Sequence, residues 1–314
     1  MWDLHLYDYT LLSLRWKELG EWEPWMHYAL ESGGKRVRPF LAWKAYAFYA
    51  GEAASWEEAL PLLHAIELLH NFTLVHDDVM DRSPLRRGRL TLYQKTNENT
   101  AILIGDALLI AVYERLSYLP ASVQPSITRI ICEGALEVCQ GQLSDLALAA
   151  RPTAGVSMEE YEAMILQKTG ALMGTALAVG GLLGGASSEE ISLLKQIGRK
   201  IGRLFQLQDD YLDAFGEDTG KERGCDIAEG KKTFLWLWAY AEATPEEQSQ
   251  LDSYCLPPEA RREIGLALYE RLGLRQRGAS FLLAAYQELL HMLSPLSIAP
   301  HLLPFVHNLY HRRR

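Results

Sequence analysis

Cysteine is scarce and unpatterned in this chain. Cys132, Cys139, Cys225 and Cys255 are scattered, and no two of them have metal-ligand or redox-motif spacing. That argues against a disulfide framework or a thiolate metal centre, and predicts free thiols in a reducing cytoplasm. An excess of basic charge is also missing. The net charge is −9, so no nucleic-acid footprint is visible. The first twenty residues carry Asp3 and Asp8 and no basic segment leading into an apolar run, so no secretory signal is expected. Strand patterning is nearly absent, with no alternating run bounded by hairpin turns. One long charge-free stretch, 169–188, approaches the length of a membrane span. Six of its residues are glycine, so the expectation is a buried helix packed through small residues, with no transmembrane segment.

Helical periodicity is what the chain has in quantity. Segments such as ALPLLHAIELLHNFTLVHDDVMD and ISLLKQIGRKIGRLFQLQDDYLDAF repeat apolar residues at intervals of three and four. Glycine and proline fall between such segments, near 33–34, 84–88, 120, 152, 216–220 and 257–258. No linker or low-complexity stretch interrupts them. The pattern predicts an all-α, single-domain helical bundle over residues 1–314, with ten or more helices around a central cavity.

Two helical runs end in the same acidic pattern, HDDVMD and QDDYLD. In the first, Asp77 and Asp81 lie four apart and share a helix face, with Asp78 beside them. Asp209, Asp210 and Asp213 repeat the arrangement. Three carboxylates this close repel one another without cations, and oxygen-only ligands suit a hard ion such as Mg²⁺. Basic segments accompany them. GGKRVRP holds Lys35, Arg36 and Arg38, and PLRRGR holds Arg86, Arg87 and Arg89. Such groups in an acidic protein suggest a diphosphate held by metal and side chains together. Polar residues also interrupt apolar helices: Gln142 and Asp145, Lys168 and Thr169, and Gln206 one turn before Asp210. Lys221 and Lys231 follow the second acidic cluster.

These motifs resemble the trans-isoprenyl diphosphate synthases, the polyprenyl synthetase family. GGKRVRP, ELLHNFTLVHDDVMDRSPLRRG, GQLSD, KTGAL, FQLQDDYLD and GKERGCDIAEGKKT occur in the family's order, from about Tyr28 to the basic tail. Cys225 stands where the family usually has glycine, and Leu90, in an expected loop, where it usually has proline. The resemblance implies a homodimeric prenyltransferase that joins isopentenyl diphosphate to dimethylallyl, geranyl or farnesyl diphosphate. It implies that Asp77, Asp78, Asp81 and Asp209 hold three Mg²⁺ ions, or Mn²⁺ in their place, with Asp210 and Asp213 in support. Arg86, Lys168, Lys221 and Lys231 would contact the allylic diphosphate. Gly34, Lys35, Arg38, His70 and Arg87 would hold isopentenyl diphosphate. Gln142, Asp145, Thr169 and Gln206 would line the site around the developing carbocation, with Asp145 also counted among the metal-facing carboxylates. Lys168, Thr169, Gln206, Asp77 and Asp209 form the implied catalytic set.

Product length is expected to be set one to two turns before Asp77, at Thr73, Phe72 and Leu69. In the family, two adjacent aromatics here accompany C15 products and one accompanies C20 in some branches. Phe72 beside Thr73 therefore points to C20, with C15 next. Three other readings compete. A terpene cyclase normally needs only one DDxxD and lacks the basic isopentenyl-binding segment. A regulatory subunit loses carboxylates that this chain keeps. An HD-type phosphohydrolase, with His64, His76 and Asp77 as metal ligands, leaves the second DDxxD unused.

Overall fold

The computed structural model describes residues 2–31, 33–216, 223–252 and 256–312. In chain order the helices are α1 (Leu4–Leu12), α2 (Glu23–Leu30), α3 (Val37–Ala50), α4 (Trp56–Met80), α5 (Leu92–Lys95), α6 (Glu98–Leu116), α7 (Gln124–Ala149) and α8 (Met158–Ile165). They continue with α9 (Ala171–Leu183), α10 (Ser188–Phe215), α11 (Cys225–Glu229), α12 (Phe234–Glu242), α13 (Pro245–Leu251), α14 (Pro258–Arg271), α15 (Leu274–Leu293) and α16 (Ala299–His311). The all-α expectation holds. No helix is long and apolar enough to cross a membrane among the described residues.

Local chemistry sets several starts. Ser55 opens α4 by accepting the Glu58 N–H. Ser157 and Glu160 form a reciprocal cap on α8, as Thr244 and Glu247 do on α13.

The chain forms two compact units. The first runs to Ala135 and includes Thr175–Lys195; the second comprises Leu136–Gly174 and the chain from Gln196. In the first, α4 packs against α3 and α6, with Leu62, Leu63, Ile66 and Leu69 buried. The Tyr7 hydroxyl of α1 donates to the Leu63 carbonyl at 3.0 Å. In the second, a π-helical turn, Leu166–Gly170, joins α8 to α9. The glycine-rich stretch contributes a backbone crossing here. A Cβ on Gly202 would lie 2.5 Å from the Gly170 Cα, and one on Gly198 would lie 2.5 Å from the Gly174 Cα. Only glycine permits that approach, and it sets Thr169 beside Gln206, one turn beyond Gly202.

The segment PLRRGR, expected as a loop, is a short hairpin. Leu85–Arg86 and Arg89–Leu90 pair as a short antiparallel hairpin, with Arg86 opposite Arg89 and Leu85 opposite Leu90. Arg87 and Gly88 both take positive φ, 53° and 78°, as a two-residue hairpin turn requires. Thr91 N–H donates to the Pro84 carbonyl. The alternation of the ladder then leaves the Leu90 N–H outside it, so proline fits there equally well.

Candidate active site

In the first unit the C-terminal end of α4 presents Asp77 and Asp78, and Asp81 caps the helix. Asp78 is 5% exposed and accepts from Arg86 Nε at 2.8 Å and Nη2 at 2.7 Å. Burial raises its pKa, and Arg86 opposes that rise.

The hairpin also places Arg87, which donates to the Gly33 carbonyl. Its guanidinium lies against Gly34, where φ is +135° and a Cβ would come within 2.5 Å of Nη1. The backbone conformation therefore calls for glycine at 34, while the guanidinium, the far end of a flexible side chain, could move aside. Arg38, in the first turn of α3, donates through Nη1 to His70 Nε2 at 3.0 Å. Arginine is only a donor, so this imidazole is neutral and accepting. Burial, and then the charges of Arg38, Arg87, Arg86 and Arg36, hold the His70 pKa well below 6.5. Of the expected set Gly34, Lys35, Arg38, His70 and Arg87, Arg38 and Arg87 lie near His70 and Gly34 lies against Arg87, while Lys35 is next to Gly34 in the chain.

Arg36, which the expected isopentenyl set leaves out, is turned into the protein. It is 4% exposed and spends its guanidinium on protein partners.

The second unit contains a solvent-open cavity with about 90 Å³ of room for water-sized molecules. Its lining includes the polar Asp145, Lys168, Thr169, Gln206, Asp210, Asp226 and Lys231 and the apolar Leu148, Met164 and Ile165. Thr169 Oγ1 donates to Gln206 Oε1 at 2.9 Å. Gln206 Nε2 donates to Asp210 Oδ1 at 2.8 Å, and the Tyr161 hydroxyl donates to Asp210 Oδ2 at 2.6 Å. The chain of bonds fixes the amide orientation and holds Asp210 from both sides. Burial and the negative charge of Asp226 nevertheless push the Asp210 pKa up to about 8.

Lys168 pairs with Asp145 at 2.5 Å. Lys231 pairs with Asp226 at 3.2 Å and Glu229 at 2.8 Å. Burial lowers the Lys231 pKa, but those two carboxylates more than reverse this and raise it overall. Both side-chain amide atoms of Gln142 are buried with no hydrogen-bond partner among the described residues.

Asp213 accepts the Asp226 backbone N–H at 3.1 Å at the start of α11. Burial and Asp226 push its pKa up to about 7. Asp209 receives the Arg312 guanidinium, which also donates to the Phe205 carbonyl at 2.9 Å. Lys221 lies outside the described residues.

Among the described residues, no three His, Cys, Asp or Glu side chains converge as a ready metal cage. Mg²⁺ needs no such cage, since it binds through one or two carboxylates together with substrate phosphates and water. The oxygen-only donors fit it. The phosphohydrolase reading fails on geometry. His64 and His76 stand twelve residues apart on α4, about 18 Å along the helix. His76 Nε2 is turned to the Ile102 carbonyl.

Comparison with known proteins decides the family. The sequence model of the polyprenyl synthetases matches residues 21–270. The chain belongs to the polyprenyl synthetase family. A short chain isoprenyl diphosphate synthase of Methanocaldococcus jannaschii is 37% identical over 228 residues, 71% of this chain and 68% of that protein. A geranylgeranyl diphosphate synthase of Methanosarcina mazei is 40% identical over 220 residues, 68% of this chain and 65% of that protein. A solved structure of a geranylgeranyl pyrophosphate synthase superposes with a TM-score of 0.88 at 33% identity, covering all of both chains. As a polyprenyl synthetase the chain is an enzyme, a short-chain trans-prenyltransferase. The cyclase and non-catalytic-subunit readings are not favoured.

Sequence reasoning missed Tyr161, Asp226 and Arg312. Asp226 stands inside GKERGCDIAEGKKT and was legible as a further carboxylate beside Lys231. Tyr161 and Arg312 reach Asp210 and Asp209 from 49 and 103 residues away, and no spacing announces such contacts.

Proposed function

We propose that this polyprenyl synthetase condenses isopentenyl diphosphate with allylic diphosphates head to tail and releases mainly a C20 all-trans product, with C15 next. The observation that carries this reading is the cavity of the second unit. There lysines paired with carboxylates and apolar side chains line the same cavity, which suits a diphosphate attached to a hydrocarbon tail. The Thr169–Gln206–Asp210 chain orients polar groups toward a forming allylic cation without supplying a nucleophile, and the apolar side chains protect that cation from water.

The acidic clusters support dependence on magnesium, three ions being expected. Asp77, Asp78 and Asp81 would hold it in one unit, and Asp209, Asp210 and Asp213, with Asp145, in the other. Bound Mg²⁺ would neutralise the negative charge that develops on the leaving diphosphate. Arg86, Lys168 and Lys231 would share that neutralisation once substrate draws them from Asp78, Asp145 and Asp226. The orphaned amide of Gln142, three residues before Asp145 on α7, offers hydrogen bonds that substrate or its water can fill. Isopentenyl diphosphate would rest on Gly34, Lys35, Arg38, His70 and Arg87. Its double bond attacks the allylic cation, and the proton leaving C2 of the condensed product passes to the departing diphosphate. No side-chain base is required.

The family match runs through both compact units, which supports reading residues 1–314 as a single synthetase domain. Exposed Ile102, Leu103, Ile110 and Tyr113 on α6 support a homodimer. The scattered cysteines, with no disulfide-framework or metal-ligand spacing, fit a cytoplasmic enzyme.

The reading is tested by chelation and substitution. Asp77→Ala or Asp209→Ala should cost several orders of magnitude in turnover while the protein stays folded by circular dichroism. Full activity in excess chelator contradicts the proposal.

A further inference from the structure

Arg36 is the charged residue of GGKRVRP that no substrate role explains. Its backbone is left-handed, φ 45° and ψ 42°, at the residue that opens α3. Three protein groups hold its side chain. Nε donates to Asp8 Oδ1 at 2.8 Å, Nη1 to Glu67 Oε1 at 2.6 Å, and Nη2 to the Leu30 carbonyl at 2.9 Å. These partners lie on α1, on α4 and at the end of α2. Glu67 is 3% exposed, and Asn71 Nδ2 donates to its Oε1 as well, at 3.2 Å.

The spacing along the chain matters more than the number of bonds. Arg36 meets Glu67, and two residues later Arg38 meets His70, one turn further along α4. The opening of α3 is thus clamped to α4 at two successive points. The Arg36 carbonyl accepts the Phe40 N–H at 3.0 Å, so fixing Arg36 also fixes the first turn from which Arg38 projects. Lys35 precedes the clamp directly. The outer partner, Asp8, sits on a helix that lies before residue 21, where the family match begins. Its side chain is one-third exposed.

We propose that Arg36 is a positioning residue for isopentenyl diphosphate: held by Asp8, Glu67 and the Leu30 carbonyl, it presents Lys35 and Arg38 together, and α1 takes part through Asp8. The inference rests on the reading that Lys35 and Arg38 bind isopentenyl diphosphate. A fold staple alone would lower stability and alter all kinetic constants together. A positioning residue separates the two substrates. Removing the Asp8 charge loosens one arm of the clamp, and replacing Arg36 by lysine retains charge but loses the fork that reaches three partners.

The experiment measures KM for isopentenyl diphosphate, KM for geranyl diphosphate, kcat and melting temperature. The proteins are the full chain and its Asp8→Asn, Asp8→Glu, Arg36→Lys and Lys35→Ala variants. Asp8→Asn should raise the isopentenyl KM about threefold to tenfold, the lower part of the range for a charged hydrogen bond because the carboxylate is partly solvated. The geranyl KM and kcat should stay within about twofold, and Asp8→Glu should restore the isopentenyl KM. Arg36→Lys should raise that KM more than about tenfold. If Lys35→Ala raises the isopentenyl KM selectively but folded Asp8→Asn leaves it unchanged, the positioning role is overturned. If Lys35→Ala has no selective effect, the underlying assignment of the isopentenyl site falls, and this inference with it. Should Arg36→Lys fail to fold, the Asp8 variants carry the decision.

Discussion

Replacing Phe72 by alanine should lengthen the product by at least one five-carbon unit. Phe72 is half-buried on α4, five residues before Asp77. Its ring meets the His76 ring edge-on, with centroids 4.8 Å apart. His76 is braced in turn by α6. Its Nε2 faces the Ile102 carbonyl at 3.1 Å, and it occupies space over Gly105, where a Cβ would sit 2.2 Å from Nε2. A ring supported this way is a firm stop. Below it the next α4 residue in question is Leu69, buried and three residues away, about 4.5 Å by the helical rise. That distance accommodates roughly one further isoprene unit. The Thr73 hydroxyl donates to the His70 carbonyl at 2.8 Å, and threonine fills less space there than an aromatic ring would. Thr73→Phe should therefore shift product toward C15. The assay uses labelled isopentenyl diphosphate with geranyl or farnesyl diphosphate, followed by dephosphorylation and chromatographic sizing. Truncating a half-buried ring should cost stability, about 2 kcal/mol, below the range for fully buried phenylalanine. Melting temperature is measured alongside. Unchanged product lengths in both folded variants would refute this placement of the floor, as would wild-type products of C30 or longer.

Lys231→Ala should raise KM for the allylic primer about tenfold to over a hundredfold, the cost of a lost charge-assisted contact, and barely affect KM for isopentenyl diphosphate. Equal effects on both substrates in steady-state kinetics would contradict two separate sites. Burial, then the charge of Arg115, holds the His64 pKa at about 4, against 6.5 in the unfolded chain. The unfolded state therefore takes up the proton first, and stability present above pH 6.5 is lost as pH falls toward 4, by about 3 kcal/mol from this group. Urea denaturation should show a flatter pH dependence over that window in His64→Gln, and an identical slope would remove the assignment. Light scattering should find a dimer that Ile110→Asp weakens, since Ile110 is 69% exposed on α6. A monomeric wild type at concentrations where it is fully active would exclude the dimer.

Much of this architecture was legible in the sequence because amphipathic periods and helix caps are local signals. Both acidic clusters lie on helices, at the end of α4 and in the last turns of α10, where their spacing put them. The glycine-rich run resolved as a close helix crossing for the reason its composition suggested. The hairpin at 85–90 escaped because two-residue strands are too short to show alternation. GGKRVRP showed three cations but not which one turns inward. That is decided by the left-handed backbone at Arg36 and by carboxylates 28 and 31 residues away. Asp213 illustrates the same limit. Its spacing matches Asp81, yet it accepts the Asp226 backbone N–H at the opening of α11. Long-range partners such as Arg312 on Asp209 have no local signature at all.

The central claim is magnesium-assisted condensation to a short-chain product, and one incubation series tests it most directly. The protein is supplied with Mg²⁺, labelled isopentenyl diphosphate and dimethylallyl, geranyl or farnesyl diphosphate in turn, with a parallel series in excess chelator, and products are sized. The account predicts label in all-trans prenyl diphosphates ending mainly at C20, with none formed under chelation. No transfer of label to any of the three primers, or the same products with and without metal, would contradict it.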